Sequence, residues 1–236
     1  MTFNSRPSVV QATATSIDAG LRAHMLKVYN LMAMGLALTG GISYLTSTSP
    51  ALMNLIFGTP LMWVVMLAPV GMAFYLSLRI RTLSASQAQT LFWVYAGAMG
   101  ISLSSIFLAY TSISIAKTFF ITASTFGAMS LWGYTTKKDL SGMGSFLMMG
   151  VVGLIIASVV NIFLKNSAME FVISVLGVLI FTGLTAYDTQ VIKSMYFEAD
   201  DADISSKKAV MGALQLYLDF INLFLYLLRF LGDRRN

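Results

Sequence analysis

Between Val28 and Leu78 the chain carries no charged residue. A helix needs about 20 apolar residues to cross the hydrocarbon core of a bilayer, so this single run is long enough for two crossings. The rest of the chain agrees. Of its 236 residues, 57% are hydrophobic and only 11% are charged, against about 25% charged in an ordinary soluble domain. The sequence reads as an all-α membrane protein forming one compact bundle.

The polar, proline-containing TSTSP at 46–50 divides the run into span 1 at about 27–45 and span 2 at about 53–78. Pro60 and Pro69 fall inside span 2, with Pro69 the expected kink. Arg79 and Arg81 close that span, and residues 82–116 are again uncharged. Span 3 is expected at about 88–110, span 4 at about 114–135, span 5 at about 143–164, span 6 at about 170–193 and span 7 at about 209–231. Residues 1–24 read as a polar, poorly ordered segment and 25–236 as the seven-helix transmembrane domain. The first 25 residues lack the short apolar core of a cleavable signal, so span 1 is expected to direct insertion. Small residues four apart, at Ala73/Ser77, Ala96/Gly100 and Gly153/Ala157, suit close helix packing in lipid.

With the N-terminus inside, Arg22, Lys27, Arg79, Arg81, Lys137, Lys138, Lys193, Lys207 and Lys208 all fall on the inner side, as the positive-inside rule requires. Seven full crossings put Arg229, Arg234 and Arg235 outside, against the rule; the length of 209–231 nonetheless favours a full crossing. The net charge of +5 comes from residues between the apolar runs rather than from a basic patch with interleaved aromatics, which argues against nucleic acid.

Several chemistries are excluded. There is no cysteine, so disulfides, thiol nucleophiles and cysteine metal sites are absent. The one histidine, His24, precedes the first apolar run, which removes a Ser/His pair within a span. No HExxH zinc motif and no phosphate-binding glycine loop occurs. Tyr187-Asp188 matches half of the intramembrane aspartyl protease signature, but Leu216, Tyr217 and Leu218 stand where the GxGD motif would precede Asp219. No enzymatic activity and no resident cofactor is expected.

What remains is polar groups inside spans. In LQLYLDFINLFLYLLRF (214–230), Gln215, Asp219, Asn222, Tyr226 and Arg229 recur at spacings of 4, 3, 4 and 3 and form one helical stripe. That stripe must face the bundle or a water-filled cavity, since facing lipid costs several kcal/mol. Span 6 carries the second intramembrane acid, Asp188, roughly 7 Å from the inner end, with Asp219 roughly 15 Å deep. The two spans are antiparallel neighbours, so the carboxyls are expected to approach one another. Two carboxylates in low dielectric cannot readily both ionise and should share one proton. Such a pair is sensitive to pH, and its oxygens suit a hard divalent cation such as Ca2+. In the plainer reading each aspartate takes a basic or hydroxyl partner, such as Arg79, Arg81 or Thr185, and only fixes helix register. The acidic loop with Glu198, Asp200, Asp201 and Asp203 reads as a solvated segment or as a weak cation-attracting mouth.

The segments AYDTQVI (186–192), LYLDFINLFLYLLRFLG (216–232) and KKDLSGMGSFL (137–147) resemble the Bax inhibitor-1 family, also called transmembrane Bax inhibitor motif proteins. The resemblance extends from about residue 20 to the last span. It implies a seven-helix bundle with the last helix central. It further implies a pH-sensitive calcium leak gated by an aspartate pair, here Asp188 and Asp219, with an arginine at the inner end of span 2, Arg79 or Arg81, as the partner in the closed state. The family carries an acidic residue in span 2, and this chain has none there. Some bacterial members are instead associated with a membrane-bound ATP-dependent protease. Two functions are therefore expected in order: a proton-regulated cation leak of the bacterial plasma membrane, then a non-conducting regulator that binds a membrane protease. The partners implied are the lipid bilayer, Ca2+ or another cation, and that protease.

Overall fold

A computed structural model describes the backbone of residues 7–235 and the side chains from Ala19 onward. Every regular element among the described residues is a helix: α1 (Pro7–Ser47), α2 (Pro50–Phe57), α3 (Leu61–Arg79), α4 (Ala85–Leu103), α5 (Ile106–Ala109), α6 (Ser112–Thr135), α7 (Ser141–Leu164), α8 (Ser167–Ser194) and α9 (Ala202–Leu231). Among the described residues, six helical segments are long and apolar enough to cross a membrane: Ala19–Ser47 within α1, α3, α4 with α5, α7, α8 and α9. The sixth helix, α6, has 24 residues and is about 36 Å long. Its Ser and Thr content lowers its hydropathy, and those hydroxyls form its buried face: Ser114, Thr118, Thr122 and Ser130. Of the segment 1–24 expected to be poorly ordered, residues 1–6 lie outside the described residues, and the backbone from Pro7 onward belongs to α1.

Local chemistry sets the element ends. Ser49, Ser84, Thr111, Asn166 and Asp201 each accept a backbone N–H in the first turn of the following helix, which satisfies donors the helix itself cannot. Lys165 ends α7 in the left-handed conformation, with φ 49°. Two expected spans are broken. Span 2 divides at 58–60, at the first of its two prolines, while Pro69 lies inside the continuous α3. Gly58 closes α2 by donating to Asn54 O, the Thr59 hydroxyl accepts from Leu61 N, and Pro60 has no N–H to carry the helix on. Span 3 divides at Ser104 and Ser105, and the Ser104 hydroxyl turns back onto Ile101 O at 2.6 Å.

The tightest neighbours are α8 and α9, and α9 packs against α1, α4 and α6 as well. Of its most apolar stretch, 67% is buried, against 6% for α7. At 30 residues α9 is about 45 Å long. It runs from one end of the bundle to the other. The tail beyond it is fastened at the far end: Thr111 N donates to Asp233 O at 3.1 Å, Arg235 N to Ala109 O at 2.9 Å, and Arg234 pairs with Glu170 at 2.9 Å. Arg234 and Arg235, two of the three basic residues that go against the positive-inside rule in the sequence reading, are thus tied down.

The α8–α9 register is antiparallel. Gly212 faces Ile192, Gln215 and Asp219 face Asp188, and Tyr226 faces Gly177 and Phe181. Ser194, the end of α8, therefore lies near residue 210 of α9, and residues 202–209 overhang by about 12 Å. The overhang makes 202–208 helix rather than loop, while Glu198, Asp201 and Asp203 are exposed as expected, and its charges also make contacts. Asp203 accepts from Ala85 N at 2.8 Å and pairs with Lys207 at 2.9 Å; Lys208 pairs with Asp200; Lys27 donates to Ser206 at 2.7 Å.

Of the three small-residue pairs, Ala96/Gly100 performs the expected packing: both are buried, and a Cβ on Gly100 would stand 2.8 Å from Thr39 O of α1. Gly153 instead faces open space. Among the described glycines, Gly133 of α6 lies closest to the backbone of another helix: a Cβ there would strike the Ala186 carbonyl of α8. Gly133→Val is expected to separate these helices and cost about 1–3 kcal/mol, seen as a lowered Tm in detergent, while Gly127→Ala, which meets nothing within 4 Å, leaves Tm unchanged. Equal Tm values for the two variants would rule out this contact as a determinant of the fold.

Candidate functional site

The α8–α9 register brings Asp188 and Asp219 together. Their carboxyls stand within side-chain reach of one another, and Gln215 lies beside Asp188. Two ionised carboxylates offer only acceptors, so a hydrogen bond between them needs one proton on the pair. The pair is sealed: Asp188 is 6% and Asp219 4% exposed. Asp219 Oδ2 has no hydrogen-bond partner among the described residues, which leaves one oxygen of the pair with unused acceptor capacity in a site without competing solvent.

The other stripe residues do different things. Asn222 turns its amide back to Leu218 O of its own helix at 2.8 Å. Tyr226 stacks on Phe181, with centroids 5.7 Å apart, and fills the notch at Gly177. Arg229 is exposed at the far end, with its guanidinium 5.8 Å from the Tyr226 ring. The stripe is therefore a seam against α8: polar at Gln215 and Asp219, aromatic beyond them. Arg79 and Arg81 do not join the pair. Both are exposed at the end of α3, which packs against α2 and α4 on the flank of the bundle. Among the described residues no ion pair links either guanidinium to Asp188 or Asp219. Thr185, the hydroxyl alternative, donates to Phe181 O of its own helix. No group of three His, Cys, Asp or Glu side chains suited to a metal occurs among the described residues, and two carboxyls fall short of the six to eight oxygens that a calcium cage takes.

Beside the pair runs a hydroxyl relay that the sequence reading missed. Thr189 donates to Thr185 O at 2.7 Å. That uses its only proton, so Ser130 donates to Thr189 at 2.9 Å and Tyr29 to Ser130 at 2.7 Å. The relay joins α1, α6 and α8 one residue from Asp188. A second link joins α1, α4 and α9: Thr39 donates to Ala96 O at 2.8 Å and accepts from the fully buried Tyr217 at 2.6 Å. A signal existed for the first: Ser114, Thr118, Thr122 and Ser130 recur on a four-residue spacing along one face of α6.

A sealed acid pair, polar links between helices and a nearly uniform apolar exterior describe a multi-pass membrane protein whose polar chemistry is directed inward. The family model for "Inhibitor of apoptosis-promoting Bax1" matches residues 21–236, and the chain belongs to that Bax inhibitor-1 family. Among its relatives, the inner membrane protein YbhL of Escherichia coli K12 is 47% identical over 236 residues, covering 99% of both chains. An uncharacterized protein of Rickettsia prowazekii is 52% identical over 94% of both. An uncharacterized membrane protein of Streptococcus pyogenes is 36% identical over 92% of this chain and 96% of its own.

Replacing Asp219 by leucine leaves the Asp188 carboxyl buried without its carboxyl partner. The expected cost is about 1–3 kcal/mol, read as a fall in Tm, whereas Asp219→Asn can still hydrogen-bond to Asp188 and stays near wild type. If Leu and Asn behave alike, the carboxyl pair is not a structural link.

Proposed function

We propose that this protein is a proton-regulated cation leak, with calcium as the principal ion, and that Asp188 and Asp219 form its latch. The observation that carries the reading is the buried contact between the two carboxyls, with one Asp219 oxygen unpartnered. A latch made through one shared proton is sensitive to pH by construction. Its place between the two most tightly packed helices means that breaking it loosens the centre of the bundle. In this reading the chain crosses the membrane seven times: α6 supplies the seventh crossing and α9 occupies the centre. The N-terminus is cytoplasmic and the membrane is the bacterial plasma membrane. YbhL, named as an inner membrane protein, supports that location.

The arrangement described is the closed state, since neither aspartate lines the cavities beside α1. Arg79 or Arg81 enters the latch only if α3 moves inward from its flank. The same sealed geometry favours a second reading, a non-conducting regulator that binds a membrane-bound ATP-dependent protease and uses the acid pair only to hold α8 on α9. Calcium flux into proteoliposomes across roughly pH 5 to 8 separates the two. A leak predicts wild-type flux that changes with pH, and loss of that change in both Asp188→Asn and Asp219→Asn. No calcium flux at any pH would end the leak reading and leave the regulator.

A further inference from the structure

α1 and α6 both lean on α9, yet they are not among the closely packed helix pairs. Between them, in the half of the bundle where α1 begins, lies a hollow of about 610 Å3. Its walls are apolar, with Met25, Met32 and Ala33 on α1 and Phe126, Gly127 and Leu131 on α6. It opens sideways, since Leu26 and Leu131 at its rim are 51% and 64% exposed. Gly127 keeps it open: a Cβ there would meet nothing within 4 Å. The end of the hollow is cationic. Arg22 lines it, exposed and without an ion-pair partner among the described residues. Lys193 lies over the Tyr134 ring at the same end, 4.9 Å from its centroid.

We propose that this hollow binds one anionic glycerophospholipid from the adjacent leaflet, with an acyl chain between α1 and α6 and the phosphate on Arg22. Three observations select this occupant. From Arg22 to Ala33 the hollow is about 17 Å long at the helical rise, close to one leaflet of a hydrocarbon core about 30 Å thick. A partner helix would need a trench through both leaflets, but the other half of the α1–α6 gap is a separate cavity of about 480 Å3. Phe220 closes the gap between them, packed on Phe119 and Phe126 at 5.5 Å each. The charge also fits. A guanidinium fork matches a phosphate, and basic pockets between membrane helices are the usual seats of anionic headgroups. Tyr29, the first hydroxyl of the relay leading to Thr189, lines the same hollow, so the lipid would lie against the polar link beside Asp188.

The test uses the full chain in detergent, stripped of lipid, then mixed with dioleoyl phosphatidylglycerol or dioleoyl phosphatidylcholine and examined by native mass spectrometry. Wild type is expected to retain one phosphatidylglycerol under conditions that remove phosphatidylcholine. Arg22→Gln should lower that retention about tenfold, the loss of one charge-assisted contact. Gly127→Trp, which fills the hollow, should abolish it; Gly127→Leu serves the same purpose if the tryptophan variant does not fold. Equal retention of the two lipids by wild type, or unchanged retention in the Gly127 variants, overturns the proposal. So does complete displacement by glycerol phosphate alone, which would make this a phosphate site without an acyl chain. Because the chain has no cysteine, Gly127→Cys offers a further check: disulfide-linked copies in membranes would assign the hollow to a second copy of the chain instead.

Discussion

A carboxyl group placed in hydrocarbon has no water to turn to, and its hydrogen bonds must come from another helix. That requirement falls on Asp188 and Asp219, and the packing of α8 on α9 answers it. The register that joins the two acids also sets Ile192 against Gly212 and Tyr226 against Gly177. A slip of one residue along either helix would break all three pairings at once. The polar contact selects the register and the glycine notches hold it at close range.

The other polar contacts extend the same logic outward. Tyr29, Ser130 and Thr189 connect α1, α6 and α8 through protons that each point one way, and Thr39 with Tyr217 connects α1 to α4 and α9. Hydroxyls in membrane helices act most economically when one partner is a backbone carbonyl, because the chain of donors then ends in an acceptor that needs no proton of its own. Both links end in this way, on Thr185 O and on Ala96 O. The exterior needs no such devices, and α7, with little of its surface buried, is apolar nearly throughout.

Much of this was legible in the sequence. The spans were readable because charge is excluded from hydrocarbon, so Arg79, Lys137, Lys165 and Lys193 mark the ends of crossings. Asp188 and Asp219 stood out because an acid in such a run is costly. A full break in span 2 was not legible from its prolines alone: one proline inside a helix removes a single hydrogen bond, while glycine, threonine and proline in succession end the helix. The roles given to Arg79 and Arg81 depended on which helix lies beside α8 and α9, and periodicity says which face is buried but not against what. The hydroxyl relay was hidden for the same reason: Tyr29, Ser130 and Thr189 lie far apart in the chain, and each alone is an ordinary membrane residue. The overhang of α9 was taken for loop because its first turns are charged, yet those charges are spent on Ala85, Asp200 and Asp203.

The burial of α9 has a consequence for how the bundle is made. Helices enter the membrane in the order of synthesis, and α1, α4, α6 and α8 all precede the helix they share. Until α9 arrives, Asp188 has no carboxyl beside it and Thr39 lacks the tyrosine it accepts from. The early helices can still form the contacts that exclude α9, α1 with α4 and α8 with α6 and α7, giving two half-assemblies with a vacant slot between them. Insertion of α9 then brings Asp219 to Asp188 and Tyr217 to Thr39 in one step. Whatever escorts membrane proteins through biogenesis must shield that slot, and a substitution that delays α9 would leave an intermediate exposing an unpaired acid to lipid or to quality-control proteases.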